Sequence, residues 1–164
     1  YKDQGLLKYR CIVVDNSDPL HRIYSPDQEL HFYKMYFWLI YNRLIAKNRY
    51  DIFLDRKRNK VPGRLSDLKD HLNHKFCAEH PTKNNIVRRV EPRDGTQIEL
   101  QMADVFTGAV AYVRNGFYEK VDNPKNPKFQ MVNMIQDILS IRLDVSHSKG
   151  ASEDFNIWSF ERMG

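Results

Sequence analysis

Apolar and polar residues alternate along this chain with two periodicities, one typical of strands and one typical of helices. Runs rich in β-branched and apolar residues predict strands at 6–14, at 50–54 and at 86–90. The closing segment, 155–160, alternates apolar and polar residues, so we expect it to dock as a short strand rather than to hang free.

The helical spacing of apolar residues predicts four helices among these strands. The first extends to about residue 47 and is apolar on nearly every side, so we expect it to be buried on more than one side. The third extends from about residue 99 to 115, and the fourth follows a linker at 121–128. Strands that alternate with such helices predict a single layered α/β domain over 1–164. The second helix carries an apolar stripe of Leu65, Leu68, Leu72 and Phe76.

Two carboxylates lie in otherwise apolar surroundings, where an unpartnered acid is costly. Asp55 ends the second predicted strand, and Asp104 lies on the third helix. A helical plot puts Asp104 beside the small residues Gly108 and Ala111, on the side that we expect to approach the sheet. Hard divalent cations take oxygen ligands, so Asp55 and Asp104 are candidate ligands of Mg²⁺ or Mn²⁺. The outward side of this helix is predicted to carry Glu99, Ala103, Thr107 and Arg114.

The plainer interpretation of these two acids stays open, namely that Asp55 caps a turn and Asp104 pairs with an arginine. The start of the first helix offers a third candidate acid, Glu29, with Asp27 as its competitor. Acids near a helix start are also favoured by the helix dipole alone. We predict Ser25 as the N-cap of this helix, Pro26 at its first position and Gln28 closing a capping box.

The residue sequences of several motifs resemble those of the bacterial family catalogued as domain of unknown function 3800, and the resemblance covers nearly the whole chain. The most specific piece is the Leu-Gln-x-Ala-Asp helix at 100–104, and the Leu-Asp-Arg strand end at 54–56 is moderately specific. The other similar stretches are 9–15, 108–112 and 155–158.

The resemblance implies a ribonuclease H-like mixed sheet with helices on both faces and a metal-dependent nuclease ancestry. Asp55 and Asp104 match the strand-end acid and the helix acid of the family. Nothing before Tyr9 resembles the opening strand of the family, which supplies a central acid, so we expect the first two strands to be missing. An upstream segment, a second copy of the chain or a partner chain would have to complete the sheet.

Basic residues follow Asp55 directly and flank the next strand, where they could track a phosphate backbone. On a chain with a net charge of +5 over 164 residues, they could equally form an ordinary solvated loop. The candidate nucleic-acid contacts are Arg56, Lys57, Arg58, Lys60, Arg88 and Arg89, with Arg64 and Arg93 nearby.

Other residue types narrow the class of protein. Only Cys11 and Cys77 are present, which fits a reducing cytoplasm better than a disulfide framework. No run is long or apolar enough to span a membrane. Residues of the types that bind zinc recur at every third position. Residues so spaced point in different directions around a helix and cannot all contact one ion, so we expect them to be exposed polar positions. The series is His71, His74, Cys77 and His80.

Three functions stay open on the sequence alone. The first is a nuclease, or its remnant, in which Asp55, Asp104 and Glu29 serve two-metal phosphodiester hydrolysis. The second is a non-catalytic module that binds nucleic acid or a protein partner through the same fold. The third is a structural or oligomerisation domain of a larger bacterial protein.

Overall fold

The computed structural model describes residues 7–15, 27–57, 59–121, 123–146 and 154–160, which contain four helices and four short strands. The strands form two parallel two-stranded sheets, β1 with β4 and β2 with β3. The architecture is mixed α/β, as the sequence predicts. In chain order the elements are β1 (Tyr9–Val13), α1 (Gln28–Tyr41), β2 (Tyr50–Asp55), α2 (Arg64–Glu79), β3 (Val87–Arg93), α3 (Ile98–Arg114), α4 (Pro127–Leu139) and β4 (Phe155–Ser159).

The chain divides into two compact units, each with its own apolar core. Residues 15–100 form one, here called the central unit, and residues 1–14 with 101–164 form the other, the terminal unit. The elements of the central unit pack around the aromatic face of α1 and the stripe of α2. In the terminal unit the core surrounds the β1–β4 pair.

In the central unit, α2 carries the predicted stripe. Leu68, Leu72 and Phe76 are buried, and Leu72 has no exposed surface. The side chains of β2 alternate, so that Tyr50, Ile52 and Leu54 pack against this core while their neighbours point to the other side of the sheet. The second helix and the second strand are therefore confirmed.

The outer edge of β3 is protected by two residues. The side-chain amide of Asn73 on α2 donates to the carbonyl of Val87 at 2.9 Å and accepts from its N–H at 3.0 Å. The Arg93 carbonyl accepts from the Arg56 N–H and so faces β2. Its neighbour Pro92 therefore faces the outer edge, where proline has no N–H to leave unpaired. These features leave fewer unpaired backbone groups at this edge, which could otherwise pair with a further strand.

The first helix differs from the prediction at both ends. Asp27 is its N-cap, since Asp27 Oδ1 accepts from the N–H groups of Glu29 at 2.9 Å and Leu30 at 3.1 Å. Those hydrogen bonds and the Arg64 guanidinium lower the pKa of the Asp27 carboxyl, because all of them favour its charged form. The predicted cap residues, Ser25 and Pro26, lie outside the described residues.

The helix also ends at Tyr41, earlier than the predicted residue 47. The following segment turns back, and the N–H of Ile45 donates to the Tyr50 hydroxyl at 2.9 Å. The expectation of burial on more than one side was wrong as well, since Phe32 and Trp38 are more than a third exposed. Aromatic residues here contact one another along the helix surface, which lowers the cost of exposing them.

In the terminal unit, β4 pairs with β1 in register, with Cys11 opposite Ile157. Ile157 has no exposed surface, and Phe155 is 4 % exposed, so the predicted docking of the tail as a strand is confirmed. The fourth helix begins at Pro127, inside the predicted linker, because Asn126 caps it through hydrogen bonds to the N–H groups of Lys128 and Phe129.

The orientation predicted for α3 was wrong. Ala109 and Val110 are buried, whereas Asp104, Gly108 and Ala111 are exposed. Large side chains decide which face of a helix is buried, because burial is favourable roughly in proportion to the apolar area removed from water. Phe106 and Val113 accordingly join the core, and Arg114, predicted to be outward, is half-buried.

Candidate nucleic-acid interface

The side of the β2–β3 sheet away from the core is open among the described residues. Cross-strand pairing brings Asp51 opposite Arg89, Phe53 opposite Glu91 and Asp55 opposite Arg93. We call these six side chains the open face. Parallel sheets are usually covered on both sides, so an uncovered one that carries charged and aromatic residues is a candidate binding surface.

Phe53 is the central residue of the open face. It is 38 % exposed, and two guanidinium groups contact its ring, that of Arg93 at 4.5 Å and that of Arg89 at 5.5 Å from the ring centroid. Both contacts are cation–π interactions, which hold the ring and the guanidinium planes close together. Phe53 was not among the predicted site residues, although its outward position between Asp51 and Asp55 in an alternating strand is visible in the sequence.

The arginines of this region also pair with acids. Asp51 Oδ2 accepts hydrogen bonds from Arg88 at 2.5 Å and from Arg89 at 3.2 Å. The hydrogen bond from Arg89 and the charges of both arginines lower the pKa of the Asp51 carboxyl. Glu91 contacts Arg89 and Arg93 at 3.7 and 3.6 Å. The acids therefore orient the guanidinium groups, which stay about half exposed.

The basic loop after β2 continues from this face. The side chains of Arg56, Lys57 and Lys60 are exposed, and the ammonium group of Lys57 lies 4.0 Å from the centroid of the Phe32 ring. Arg58, the fourth predicted contact in this loop, lies outside the described residues. The predicted contacts on β3, Arg88 and Arg89, are exposed at the start of that strand.

Glu29 holds the far end of the basic loop. It is 8 % exposed, and its two carboxylate oxygens accept from the N–H groups of Lys60 at 2.9 Å and Val61 at 3.2 Å. Arg64 Nε lies 3.7 Å from Glu29 Oε2, and Arg64 Nη2 donates to Asp27 at 2.6 Å. Both oxygens serve backbone donors, so Glu29 positions the loop, and its catalytic role stays a prediction.

Asp55 occupies the carboxyl end of β2, as predicted, and its carboxylate is exposed. It forms no ion pair or hydrogen bond with any residue in the described ranges. A small cavity of about 20 Å³ beside it is also lined by Lys57 and Tyr33. The turn after β3 lies close by, since a Cβ added to Gly95 would be 3.4 Å from Asp55 Oδ1. The Asp55 oxygens therefore remain available to a hard cation.

Asp104 is exposed on α3 and belongs to the terminal unit, whereas Asp55 belongs to the central unit. Their joint metal site stays a prediction. In the part of the chain that the structure describes, no three His, Cys, Asp or Glu side chains form a group that could hold one metal ion. The exposed histidines of α2 and the turn after it are His71, His74 and His80.

A second basic surface lies at the other end of β2. A cleft of about 450 Å³, here called the basic cleft, is lined by Arg49, Lys69 and Arg88 together with Asp70, Asn73 and Asn85. Arg49 and Lys69 were not predicted as site residues, because they are separated along the chain and only the packing of α2 against β3 brings them together.

No family model, curated protein or solved structure matches this chain.

Proposed function

We propose that this protein binds single-stranded nucleic acid on the open face of the β2–β3 sheet. The observation that supports the proposal most directly is the exposed Phe53 ring, which the guanidinium groups of Arg89 and Arg93 contact. A base stacks on an exposed aromatic ring whatever its identity, because every base has a π-face. An open sheet face that carries such a ring is a recurrent platform for bases.

The basic loop supports the same proposal. Arg56, Lys57 and Lys60 come after β2 in the chain, just beyond the Phe53 ring on which a base would stack, and their side chains are exposed. Cationic side chains that neutralise phosphates release counterions, which makes this kind of binding favourable and sensitive to salt. Glu29 adds to the arrangement, since it fixes the backbone of the loop from beneath.

The test is fluorescence anisotropy with labelled oligo-dT and oligo-rU ten-mers at low salt, using the whole chain. We expect both to bind, and Phe53→Ala to weaken binding about tenfold, because one stacked base contributes roughly 1–3 kcal/mol. Phe53→Tyr keeps an aromatic ring and serves as the matched control. Failure of both oligonucleotides to bind the wild-type chain, or equal binding by Phe53→Ala, would overturn the proposal.

A second candidate is metal-dependent phosphodiester hydrolysis in a ribonuclease H-like domain of the domain of unknown function 3800 family. The exposed carboxylate of Asp55 at the end of a parallel strand supports it, since no residue in the described ranges pairs with this group. Asp55 and Asp104 would hold Mg²⁺ or Mn²⁺. The bound ions would supply a hydroxide nucleophile and stabilise the leaving oxygen. On this proposal the chain binds nucleic acid in the cytoplasm, and an upstream segment, second copy or partner chain completes the sheet.

The hydrolase candidate has its own test. Isothermal titration of Mn²⁺ and Mg²⁺ into the chain, and into a version extended upstream, is compared with Asp55→Asn and Asp104→Asn. Binding that both substitutions abolish supports the candidate and justifies a search for cleavage of the bound oligonucleotide. Metal binding that is absent from both versions, or unchanged in the variants, contradicts it.

A further inference from the structure

We infer that the basic cleft holds a backbone phosphate of the same nucleic-acid strand, so that the strand runs along β2 from Arg49 past Phe53 to the basic loop. This inference rests on the proposed function. It adds a second binding site, a path for the nucleic-acid strand, and the length of oligonucleotide needed to occupy both sites. Arg49 and Lys69 belong neither to the open face nor to the basic loop.

The composition of the cleft favours an anion. Three cationic side chains, Arg49, Lys69 and Arg88, line it, against one carboxylate, Asp70, which lies 4.0 Å from Lys69. The guanidinium of Arg49 forms no ion pair with any residue in the described part of the chain. With a volume of about 450 Å³, the cleft has room for a phosphate group and its attached sugar.

One residue of the cleft lining is anchored by the backbone. Both ends of the Asn73 amide bond to Val87, so the cationic groups are left to contact a ligand. Asn85, which also lines the cleft, has a positive φ of 53°. A preformed site loses less conformational entropy when a ligand binds than a mobile one does.

Arg88 connects the cleft with the open face. It lines the cleft, and its Nη2 atom donates to the Asp51 carboxylate, which also accepts from Arg89. Arg89 in turn contacts the Phe53 ring. A continuous series of side-chain contacts therefore leads from the cleft to the Phe53 ring.

The dimensions set the length of strand required. The six residues of β2 span about 17–20 Å, at roughly 3.3 Å per residue. That distance is the rise of about five or six stacked nucleotides at ~3.4 Å each. A dinucleotide can therefore reach Phe53 and its neighbours but not the cleft and the loop together, whereas an octanucleotide can reach both.

The experiment is a length series of dT2, dT4, dT6 and dT8, with rU8 beside dT8, titrated into the wild-type chain and into Arg49→Gln and Lys69→Gln. We expect each variant to weaken dT8 binding severalfold and to leave dT2 binding unchanged. The slope of log K against log salt for dT8 should fall by about 0.7 for each lost phosphate contact. Lys34→Gln, on the exposed side of α1 and outside the cleft, is the control for net charge.

The outcomes separate this inference from the proposed function. If the oligonucleotides bind and Phe53→Ala weakens them, but Arg49→Gln and Lys69→Gln match Lys34→Gln at every length, the cleft holds no phosphate and the inference fails alone. If no oligonucleotide binds the wild-type chain, both fail. If the affinity of the wild-type chain does not rise from dT2 to dT8, the cleft lies off the path of the strand, and the inference fails.

Discussion

The Glu29 carboxylate accepts a hydrogen bond at 2.9 Å from the backbone N–H of Lys60, thirty-one positions further along the chain. This contact connects the first turn of α1 with the basic loop that follows β2. The second oxygen accepts from the Val61 N–H, so this candidate catalytic acid also has a structural role.

We expect Glu29→Ala to lower the free energy of unfolding by about 2–4 kcal/mol. Two part-buried backbone donors would lose their charged acceptor. Each such hydrogen bond contributes about 1.5–3 kcal/mol, and water replaces part of it because Lys60 and Val61 are exposed. Urea denaturation followed by circular dichroism measures the effect, with Gln28→Ala on the exposed side of the same helix as the control. A Glu29→Ala chain of unchanged stability that loses Mn²⁺ binding would instead identify Glu29 as a metal ligand.

The Asp51 carboxyl predicts an acid-dependent component of stability. Its pKa in the folded chain is lowered, with the Arg89 hydrogen bond as the largest cause, so it stabilises the fold fully above the unfolded pKa of about 3.9. That contribution is lost as the pH falls through the lower, folded pKa. Unfolding midpoints measured between pH 2.5 and 6 should therefore depend less on pH in Asp51→Asn than in the wild type. Equal dependence in both would contradict the assignment.

The same substitution has a second expected effect, on binding. Asp51→Asn removes a negative charge that pairs with Arg88 and Arg89, and so leaves both cations to the phosphates of a ligand. Oligonucleotide affinity should rise severalfold at low salt, and the gain should shrink at high salt because these groups are exposed. Asp70→Asn provides a comparison at the cleft. Weaker binding by Asp51→Asn would show that orienting the arginines matters more than freeing their charge.

Asn73 supplies a prediction for the protected edge of β3. Asn73→Ala leaves the N–H and carbonyl of Val87 without partners and should cost about 1–3 kcal/mol of stability. Amide hydrogen exchange at Val87 should accelerate more than exchange at the strand centre. Exposed His74 is the neighbouring control position, where alanine should change neither quantity. Unaltered exchange at Val87 would mean that water replaces the amide without cost.

In the terminal unit, Arg114 joins α3 to two other segments. It donates to the Asp144 carbonyl at 2.7 Å and to the Ser146 and Ser159 hydroxyls at 3.0 Å each. A lysine ammonium cannot reproduce the planar arrangement of guanidinium donors, so we expect Arg114→Lys to lower the free energy of unfolding by about 1–2 kcal/mol. Thermal unfolding measures it, and Lys128→Arg, at the exposed start of α4, controls for exchange between the two cations. A lysine variant as stable as the wild type would show that this arrangement contributes little.

The order of elements could be predicted from the sequence because local periodicity and β-branched runs carry it. The stripe of α2 and the end of β2 at Asp55 are cases in which burial follows the spacing directly. The orientation of α3 could not be predicted from small residues, since the large residues Phe106 and Val113 determine it. The end of α1 depends on a hydrogen bond from Ile45 to the distant Tyr50 hydroxyl, which spacing cannot show.

The candidate interface was predictable in part. The basic residues after Asp55 are contiguous in sequence, so their clustering is visible there. The exposure of Phe53 and the meeting of Arg49 with Lys69 depend on which side of the sheet the helices cover and on how α2 packs against β3. Glu29 shows a further limit, because an acid in the first turn of a helix has the same sequence context whether it binds a metal or two backbone N–H groups.

The amide that protects Val87 belongs to a helix that must first dock. Until α2 reaches its place, the outer edge of β3 exposes an N–H and a carbonyl to any extended chain nearby. An opening of α2 therefore exposes this edge of β3 to neighbouring molecules, and association through it would increase with protein concentration.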